Sequence, residues 1–353
     1  MHKKKRSKQR KTQLQEKRQA NALISPDFFG QGISVDISRV FPVVVMATMS
    51  CGKSTLINAL LGKDILPSRN EACTAKVYSI LDNDNDESTT IYLTDKKGTV
   101  TKIDSDLAPV LAEANQNSEI TSITITGQIK GVLNTKKTLL IIDTPGTNNA
   151  RDIEHAAITR SVLQKIKGGL ILYMINATHM GVHDDRELLV ELHSFLEQRP
   201  KISVLFVVNK VDALDTERES LEKLMMEIRG YLGNCGFASP NILPLSALSA
   251  YLFTKVLNGE VLSRKQRRDF QAAFDLYQPN QMSLVSYAMT DDYPKQYEYI
   301  QIDDGEYRVS DIIGAHTNTG IPYLEQYIQQ EQIRSAAKQQ LRINVNKNKG
   351  GKK

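Results

Sequence analysis

Ala47-Thr-Met-Ser-Cys-Gly-Lys-Ser54 is the stretch that decides the fold. An apolar run, Val43–Met46, comes before it, and residues 55–61 follow with apolar side chains at helical spacing. A strand, a tight loop and a helix are the context that a phosphate-binding P-loop requires. Backbone N–H groups of such a loop and of the helix start direct positive charge at one point, which favours a polyphosphate. Ala47 stands where the usual motif has its first glycine, and it is small enough for the turn to form.

The loop therefore predicts a nucleotide site in which two side chains have distinct roles. Lys53 would reach the β- and γ-phosphates, and the Ser54 hydroxyl would ligate Mg²⁺. The residues that we expect to surround the phosphates are Met49, Ser50, Cys51, Gly52, Lys53, Ser54 and Thr55.

Two later segments supply the remaining groups around the γ-phosphate. Thr74, in the segment Leu66–Ala75, can complete the coordination of Mg²⁺ and hold the attacking water. Asp143-Thr-Pro-Gly146 ends the apolar run that begins at Leu139. Asp143 would hold Mg²⁺ through water, and the Gly146 N–H would sense the γ-phosphate, because glycine lets that peptide reorient.

Two further segments predict selection of guanine. Asn209-Lys210-Val211-Asp212 follows the strand-like run Val204–Val208. The Asp212 carboxylate can accept hydrogen bonds from guanine N1–H and from its exocyclic amine, which adenine does not match. Such paired contacts can reject an analogue by ~10⁴-fold. Ser246-Ala247 follows Leu243-Pro244-Leu245, and its backbone can read the guanine carbonyl.

β-Branched runs alternate with helical patterns from Val40 onward, which predicts an α/β protein with a mostly parallel sheet and helices on both faces. Together with the motifs above, which follow one another in the order that a GTPase requires, this predicts a P-loop GTPase fold with short helical and basic extensions. We expect strands at Val43–Met46, Ala75–Leu81, Ser88–Thr94, Ile120–Ile129, Thr138–Asp143, Gly169–Ile175, Ser203–Asn209 and Asn241–Pro244. We expect helices at Lys53–Leu61, Leu107–Asn115, Arg151–Lys167, Asp184–Gln198, Thr216–Leu232 and Ser263–Phe274, with a hairpin turn at Lys96-Lys97-Gly98.

The chain divides into three parts. Residues 1–38 form a basic N-terminal arm with a short helix, residues 39–320 form the GTPase domain, and residues 321–353 form a C-terminal helix and basic tail. Within the domain, residues 260–315 are an insertion or an elaboration of its edge. Tyrosines cluster there, and local packing is their more common role.

Composition limits the location of the protein. Three cysteines without C-x-x-C spacing argue against a disulfide framework or a zinc site and favour a reducing cytoplasm. We expect no secretory signal and no transmembrane segment, because no apolar run reaches about 18 residues.

The two ends of the chain are strongly basic. Residues 1–18 carry a net charge of +8 and residues 334–353 carry +7, so the net +5 of the whole chain hides an acidic body of −10. Basic ends of this kind suit an anionic membrane surface, nucleic acid or an acidic protein, and they also serve as solvated tails. The expected location is cytoplasmic, extending to a peripheral association with membranes.

The run Met49-Ser-Cys-Gly-Lys-Ser-Thr-Leu-Ile-Asn-Ala-Leu-Leu-Gly62, followed by Leu66-Pro-Ser-Arg-Asn-Glu-Ala-Cys-Thr-Ala75, resembles the GTPase domain of bacterial dynamin-like proteins. The resemblance covers about residues 40–248 and resumes at 317–328. It implies GTP hydrolysis with Mg²⁺, activated when two GTPase domains meet as a homodimer. It does not extend to a long helical stalk, which we do not expect within these residues.

The resemblance also assigns catalytic roles. Ser50 matches the serine that helps to hold a monovalent cation, K⁺ or Na⁺, in dynamins, and Thr74 matches their catalytic switch threonine. Lys53 and Gly146 complete the catalytic set. Met49 occupies the position where dynamins commonly carry a glutamine that positions the catalytic water, and methionine cannot do so by hydrogen bonding. Two alternatives therefore stay open: a nucleotide-gated adaptor with negligible hydrolysis, and a GTPase associated with ribosomes or nucleic acid.

Overall fold

The computed structural model describes residues 22–29, 33, 35–48, 50–66, 76–84, 89–104, 107–129, 131–134, 137–146, 153–179, 183–215, 220–278, 282–284 and 299–350. Its strands are β1 Val40–Ala47, β2 Val77–Asp82, β3 Thr90–Asp95, β4 Val100–Ile103, β5 Ile120–Gly127, β6 Thr138–Asp143, β7 Gly169–Asn176, β8 Ile202–Asn209, β9 Ile242–Pro244, β10 Tyr299–Ile302 and β11 Gly305–Arg308. Its helices are α1 Lys53–Leu61, α2 Leu107–Gln116, α3 Ile153–Lys165, α4 His183–Glu197, α5 Leu221–Asn234, α6 Ala247–Leu257, α7 Arg264–Tyr277, α8 Val309–Asn318 and α9 Ile321–Gly350.

One sheet organises the body, with the strand order β4-β3-β5-β2-β6-β1-β7-β8-β9. From β6 to β9 all neighbours are parallel, whereas β2 is antiparallel to β6 and β3 is antiparallel to both of its neighbours. Every residue of β1 is buried, as expected for a central parallel strand that is covered on both faces. The predicted P-loop GTPase architecture, a mostly parallel α/β sheet, is confirmed.

The predicted strands and helices from 43 to 244 have their counterparts in the structure, with ends shifted by a few residues. The turn at residues 96–98 is also present, since Gly98 has a φ of 80° and its N–H donates to the Asp95 carbonyl. Sequence reasoning did not predict β4, α6, the β10–β11 hairpin or α8. The predicted short helix of the N-terminal arm lies almost wholly in residues 1–21, outside the described ranges.

Part of the segment assigned to the N-terminal arm packs on the body. Ile24 is fully buried and forms an isolated β-bridge with Ile166 at the end of α3. The Leu23 carbonyl accepts a hydrogen bond of 2.7 Å from the Lys167 N–H. Residues 22–24 therefore belong to the packed core rather than to a solvated arm.

The described residues between 264 and 320 form a helical layer beside α6. In this layer α7 and α8 pack against α6 and against each other, and the β10–β11 hairpin packs on their edge. Aromatic rings fill the contact: Phe270 meets Phe253 at 5.5 Å and Tyr307 at 5.2 Å between ring centroids, in edge-on geometry. These described elements thus share one hydrophobic core with α6.

The long helix α9 packs against the amino ends of the core strands, at the end of the sheet that lies opposite the P-loop. The buried Gln332 donates from Nε2 to the Lys137 carbonyl at 3.1 Å, next to the start of β6. Glu331 accepts from the Ser203 hydroxyl at 2.9 Å, at the start of β8. Polar side chains of α9 therefore join the amino ends of two core strands.

Another carboxyl group of α9 predicts pH-dependent stability. Burial raises the pKa of Glu325, on α9, to about 7 from an ordinary 4.5. Between about pH 4.5 and 7 the unfolded chain ionises first, so folding loses stability as the pH rises. Glu325→Gln is expected to raise the free energy of unfolding by about 1–3 kcal/mol at pH 8, with a smaller gain at pH 5. Urea unfolding at the two pH values measures this.

The control is Glu306→Gln on β11, where the side chain is exposed and the pH profile should not change. If the gain from Glu325→Gln were equal at both pH values, ionisation would not be its cause.

Candidate functional site

The candidate site lies along the carboxyl ends of the parallel strands. In the register of the sheet, Val45 lies beside Asp143, and Val208 lies beside Pro244. The predicted motifs begin where these strands end, so the sheet brings the P-loop, Asp143, Asn209 and Ser246 to one edge. Open α/β sheets bind their ligands at this edge.

The P-loop itself runs from β1 into α1. Ala47 is the last residue of β1 and is buried, so it does not occupy a left-handed position that would require glycine. Positive φ falls instead on Ser50, at 59°, and on Gly52, at 88°. At Gly52 a Cβ would lie 2.5 Å from the Asn209 Nδ2, so both conformation and space require glycine there.

The start of α1 is open to an anion. Its N-cap is Gly52, which offers no side-chain oxygen to the first N–H groups of the helix. Lys53, Ser54 and Thr55 are partly exposed in the first turn, whereas Leu56 onward is buried. Uncapped N–H groups together with a lysine and a hydroxyl suit a phosphate bound to a metal ion.

Asp143 carries the feature expected of a cation site. The side chain is buried, and its Oδ1 has no hydrogen-bond partner in the described part of the chain. Burial raises the pKa of Asp143 to about 6, and the nearby charge of Lys53 opposes the rise. A buried, unsatisfied carboxylate oxygen at the mouth of the P-loop fits Mg²⁺, which prefers oxygen ligands.

The segment after Asp143 is anchored at both ends. The Thr144 hydroxyl donates to the Val45 carbonyl at 3.0 Å, which ties the end of β6 to β1. The Gly146 carbonyl lies 3.0 Å from Nδ1 of His155, on α3. A movement of Gly146 would therefore alter its contact with His155 and so act on α3. Sequence reasoning did not identify His155, because a histidine inside a helical pattern carries no signal of its own.

Asn209 connects the P-loop to the loop of Ser246 and Ala247, which is predicted to bind the guanine base. Its Nδ2 donates to the Cys51 carbonyl at 2.7 Å, and its Oδ1 accepts from the Ala247 N–H at 2.9 Å. The side chain is buried, so both bonds are shielded from water. The Ala247 N–H, predicted to read the guanine carbonyl, is thus already engaged, and a guanine would have to share or displace this bond.

Replacement of Asn209 should lower the stability of the folded chain. Asn209→Ala removes two buried hydrogen bonds, one to the Cys51 carbonyl and one from the Ala247 N–H. The free energy of unfolding is expected to fall by about 2–4 kcal/mol, and nucleotide affinity should fall with it. Urea unfolding without nucleotide measures the first effect. Asn241→Ala, at an exposed asparagine next to β9, should stay within about 0.5 kcal/mol of the parent.

Asp212 lies in a single turn, Val211–Ala213, after the left-handed residue Lys210, which has a φ of 67°. Its Oδ1 is buried and has no hydrogen-bond partner among the residues described. Ser246, fully buried, caps α6 by accepting from the Ser249 N–H and is close to the same corner of the fold. A carboxylate that is left unsatisfied beside the end of β8 fits the two N–H donors of guanine.

Thr74 and Met49 lie outside the described residues, so their predicted roles stay predictions. The chain on either side of the segment that contains Thr74 is firmly held. Before it, the buried Asn58 of α1 accepts from the Leu66 N–H and donates to the Leu66 carbonyl, both at 2.8 Å. After it, the Lys76 ammonium donates to the carbonyls of Asn115 and Asn117, both at 2.9 Å, at the end of α2.

This fold and this site define a P-loop GTPase-type protein. Residues 43–211, just under half of the chain, match the model of the dynamin family, which supports a dynamin-like GTPase domain over these residues. The match spans the P-loop, Asp143 and Asn209.

Other proteins are similar over part of their length. A sulfate adenylyltransferase subunit 1 from Shewanella woodyi (strain ATCC 51908 / MS32) is 26% identical over 208 residues, which are 58% of this chain and 38% of that protein. A chain of an oligomerised bacterial dynamin pair, described as sensing and tethering membranes, aligns with a TM-score of 0.47 and 18% identity, over 91% of this chain and 44% of its own. An Era variant of Aquifex aeolicus bound to GDP and AlF₄⁻ aligns with a TM-score of 0.35 and 18% identity, over 63% of this chain and 56% of its own.

This chain thus spans less than half the length of the first two of these proteins. In the described ranges, no helix has the length and apolar character needed to cross a membrane.

Proposed function

We propose that the chain binds GTP with Mg²⁺ and hydrolyses it to GDP and phosphate. The observation that carries the proposal is that Asp143, which is buried, and Asp212, which is partly exposed, each keep a buried oxygen without a hydrogen-bond partner among the described residues, at the edge where the P-loop opens. The first is next to Lys53 and fits a metal ion on the phosphates, and the second fits a guanine. The match of residues 43–211 to the model of the dynamin family supports the same activity.

Each group then has a defined task. Lys53 and the first N–H groups of α1 hold the β- and γ-phosphates, which balances negative charge that grows in the transition state. Ser54, Asp143 and Thr74 are the proposed ligands of Mg²⁺, which when bound stabilises the charge on the phosphates. The Gly146 N–H senses the γ-phosphate, and its contact with His155 would pass that state to α3.

We further propose that two copies dimerise through their GTPase domains, with Ser50 helping to hold K⁺ or Na⁺ at the phosphates. The support is the dynamin-family match together with the left-handed, exposed position of Ser50 in the P-loop. A charge supplied at the γ-phosphate in this class of reaction can be worth ~10³–10⁵ in rate.

The test is GTP turnover by the full chain against protein concentration, with Mg²⁺ and with or without K⁺. A rate per molecule that rises with concentration and depends on K⁺ supports the dimeric mechanism. Turnover that is independent of both overturns the dimer and the cation but keeps the GTPase. Tight GTP binding without hydrolysis in a single turnover overturns the enzyme and favours a nucleotide-gated adaptor.

The basic ends are proposed to contact a polyanionic surface, on the strength of their charge alone. Anionic lipid and nucleic acid both give binding that weakens with salt. Pull-downs on anionic liposomes and on RNA, with residues 1–18 or 340–353 deleted, separate the two. If neither deletion changed either result, the ends would be solvated tails.

A further inference from the structure

A pocket lies at the amino ends of the core strands, where α9 packs on the sheet. We call it the amino-end pocket, and its volume is about 250 Å³. Gly169 begins β7 and Ile202 begins β8, and both line it. The P-loop follows the carboxyl end of β1, at the opposite end of the sheet. A ligand in this pocket would therefore not compete with a nucleotide.

Three basic residues line the amino-end pocket. Lys201 comes from the turn before β8, and Arg334 and Lys338 come from α9. All three are exposed to solvent. Arg334 and Lys338 are four positions apart, so they lie on one face of the helix. The pocket thus gathers positive charge from two separate elements of the fold.

One acidic residue, Glu331, lines the same pocket, but its charge is already compensated. The side chain is buried, and one carboxylate oxygen accepts from the Ser203 hydroxyl at 2.9 Å. The other oxygen accepts from the Arg334 guanidinium. Among the described residues, Lys201 and Lys338 have no acidic partner. The lining therefore carries a net charge of +2, from three basic residues and one acidic residue.

The remaining walls of the pocket are mostly apolar. They include Leu23, Phe41, Pro200 and Ile202. All of these except Pro200 are buried, whereas the three basic residues are exposed. An apolar interior with charge at its rim suits a ligand in which an anionic group is joined to an uncharged organic part.

The two basic ends of the chain begin beside this pocket. Leu23 lies just after residues 1–18, which carry a net charge of +8. Arg334 is the first residue of the segment 334–353, which carries +7. Charge that is concentrated around a pocket raises the local concentration of anions. The positions at which these segments join the described chain therefore favour an anionic ligand here.

We propose that the amino-end pocket binds a phosphomonoester. Lys201, Arg334 and Lys338 hold the phosphate, and the apolar walls hold the group that is esterified to it. A phosphomonoester carries about −1.5 to −2 charges at neutral pH, which matches the charge of the lining. Lysine and arginine are the side chains that proteins commonly use for phosphate. A lipid headgroup and a free phosphate ester present this same chemistry. The inference goes beyond the proposed GTPase function and requires neither GTP binding nor the basic ends.

A nucleic acid fits the pocket less well. Its internal phosphates are diesters with one negative charge each. Single strands are bound on aromatic side chains, against which the bases stack. Phe41 is the one aromatic residue of the described lining, and it is buried. The observations therefore favour a phosphomonoester, and RNA becomes an outcome of the test.

The first experiment titrates the full chain with glycerol 3-phosphate by calorimetry, with GDP and Mg²⁺ present. Lys201→Ala and Lys338→Ala should each raise the Kd by roughly 5-fold, the effect of one basic residue near an anionic group. Both lysines are exposed, so the melting temperatures should stay near that of the parent. Lys265→Ala removes an exposed lysine from α7 and should leave the Kd unchanged. Lys53→Ala alters the P-loop and should also leave it unchanged.

The second experiment separates a lipid from a soluble ester. Phosphatidylcholine vesicles that contain phosphatidic acid are compared with vesicles that contain phosphatidylserine at equal surface charge. If the ligand is a headgroup, the chain prefers phosphatidic acid. The double variant Lys201→Ala/Lys338→Ala then loses this preference, whereas a chain without residues 340–353 keeps it. Binding of glycerol 3-phosphate without such a preference assigns the pocket to a soluble ester.

Four results would overturn the inference. The parent binds neither probe, or both lysine variants keep the parental Kd for glycerol 3-phosphate. Lys265→Ala weakens binding as much as they do, which would make the effect one of total charge. RNA is retained more strongly than the phosphatidic acid vesicles and is lost in the double variant, which would assign the pocket to nucleic acid. A parent chain that did not bind GTP would overturn the proposed function alone, because Lys53→Ala tests the pocket independently of the P-loop.

Discussion

Lys53→Ala is expected to reduce GTP hydrolysis by on the order of 10³-fold, the effect of removing one well-placed electrostatic group from a transition state. Lys53 lies in the first turn of α1, where the N-cap Gly52 leaves the helix start open to phosphate. Its charge also acts on the buried Asp143. Alanine removes this cation, while the backbone N–H groups remain. Phosphate release under single-turnover conditions, with enzyme in excess over GTP, measures the loss.

Lys63→Ala provides the matched control, because Lys63 follows the opposite end of the same helix, about 10 residues along the chain. This variant should hydrolyse GTP like the parent. Both variants should melt near the parent temperature in the absence of nucleotide. A Lys53→Ala protein that turned over GTP at the parental rate would contradict the assignment of residues 47–54 as the phosphate loop.

The motifs of the site could be predicted because each follows a buried strand. Asp143 and Asn209 close β6 and β8, whose continuous apolar runs are a strong signal for central parallel strands. Parallel strands end at one edge, so the order of the motifs along the chain already implied that they lie together. The departure at Ala47 had no effect, because that residue ends β1 in extended backbone.

The elements that escaped prediction lack such patterns. Helix α6 is buried on nearly all sides, so its sequence has no polar face from which a helical period could be seen. The β10–β11 hairpin has four residues in each strand, too few to show an alternation. Contacts between distant residues are a further limit. Nothing in the sequence shows that Asn58 holds the chain before Pro67 through Leu66.

If the proposed function holds, Met49 and Thr74 would set how fast the γ-phosphate leaves, and the chain on either side of Thr74 matters for this role. Asn58 and Lys76 hold the chain at residues 66 and 76, so the proposed switch has two fixed ends. A switch with fixed ends can order around a bound γ-phosphate without disturbing β2 or α1. This arrangement suits a domain whose nucleotide state is transmitted locally, through Thr74 and through Gly146 and His155.

Asp212→Asn should change which base the protein selects. The asparagine amide keeps one acceptor and gains two N–H donors, which face the donors of guanine. Xanthine replaces the 2-amino group with a carbonyl, and so matches the amide with one donor and one acceptor. We expect GDP affinity to fall by on the order of 10²–10⁴-fold, and affinity for XDP to rise, since unmatched buried polar groups carry discrimination of this size. Calorimetric titration with GDP, XDP and ADP measures the change.

Asp215→Asn distinguishes the specific role of Asp212 from a general effect of charge. Asp215 is exposed and lies three positions further along the same loop, so its replacement removes the same charge without touching the buried oxygen. Its preference for GDP over ADP and XDP should equal that of the parent. If both variants lost the preference, the negative charge of the whole loop, rather than Asp212 itself, would select the base. If neither lost it, the unsatisfied oxygen of Asp212 would serve another ligand, because a carboxylate that accepts from guanine cannot be exchanged for an amide without a change in the preferred base.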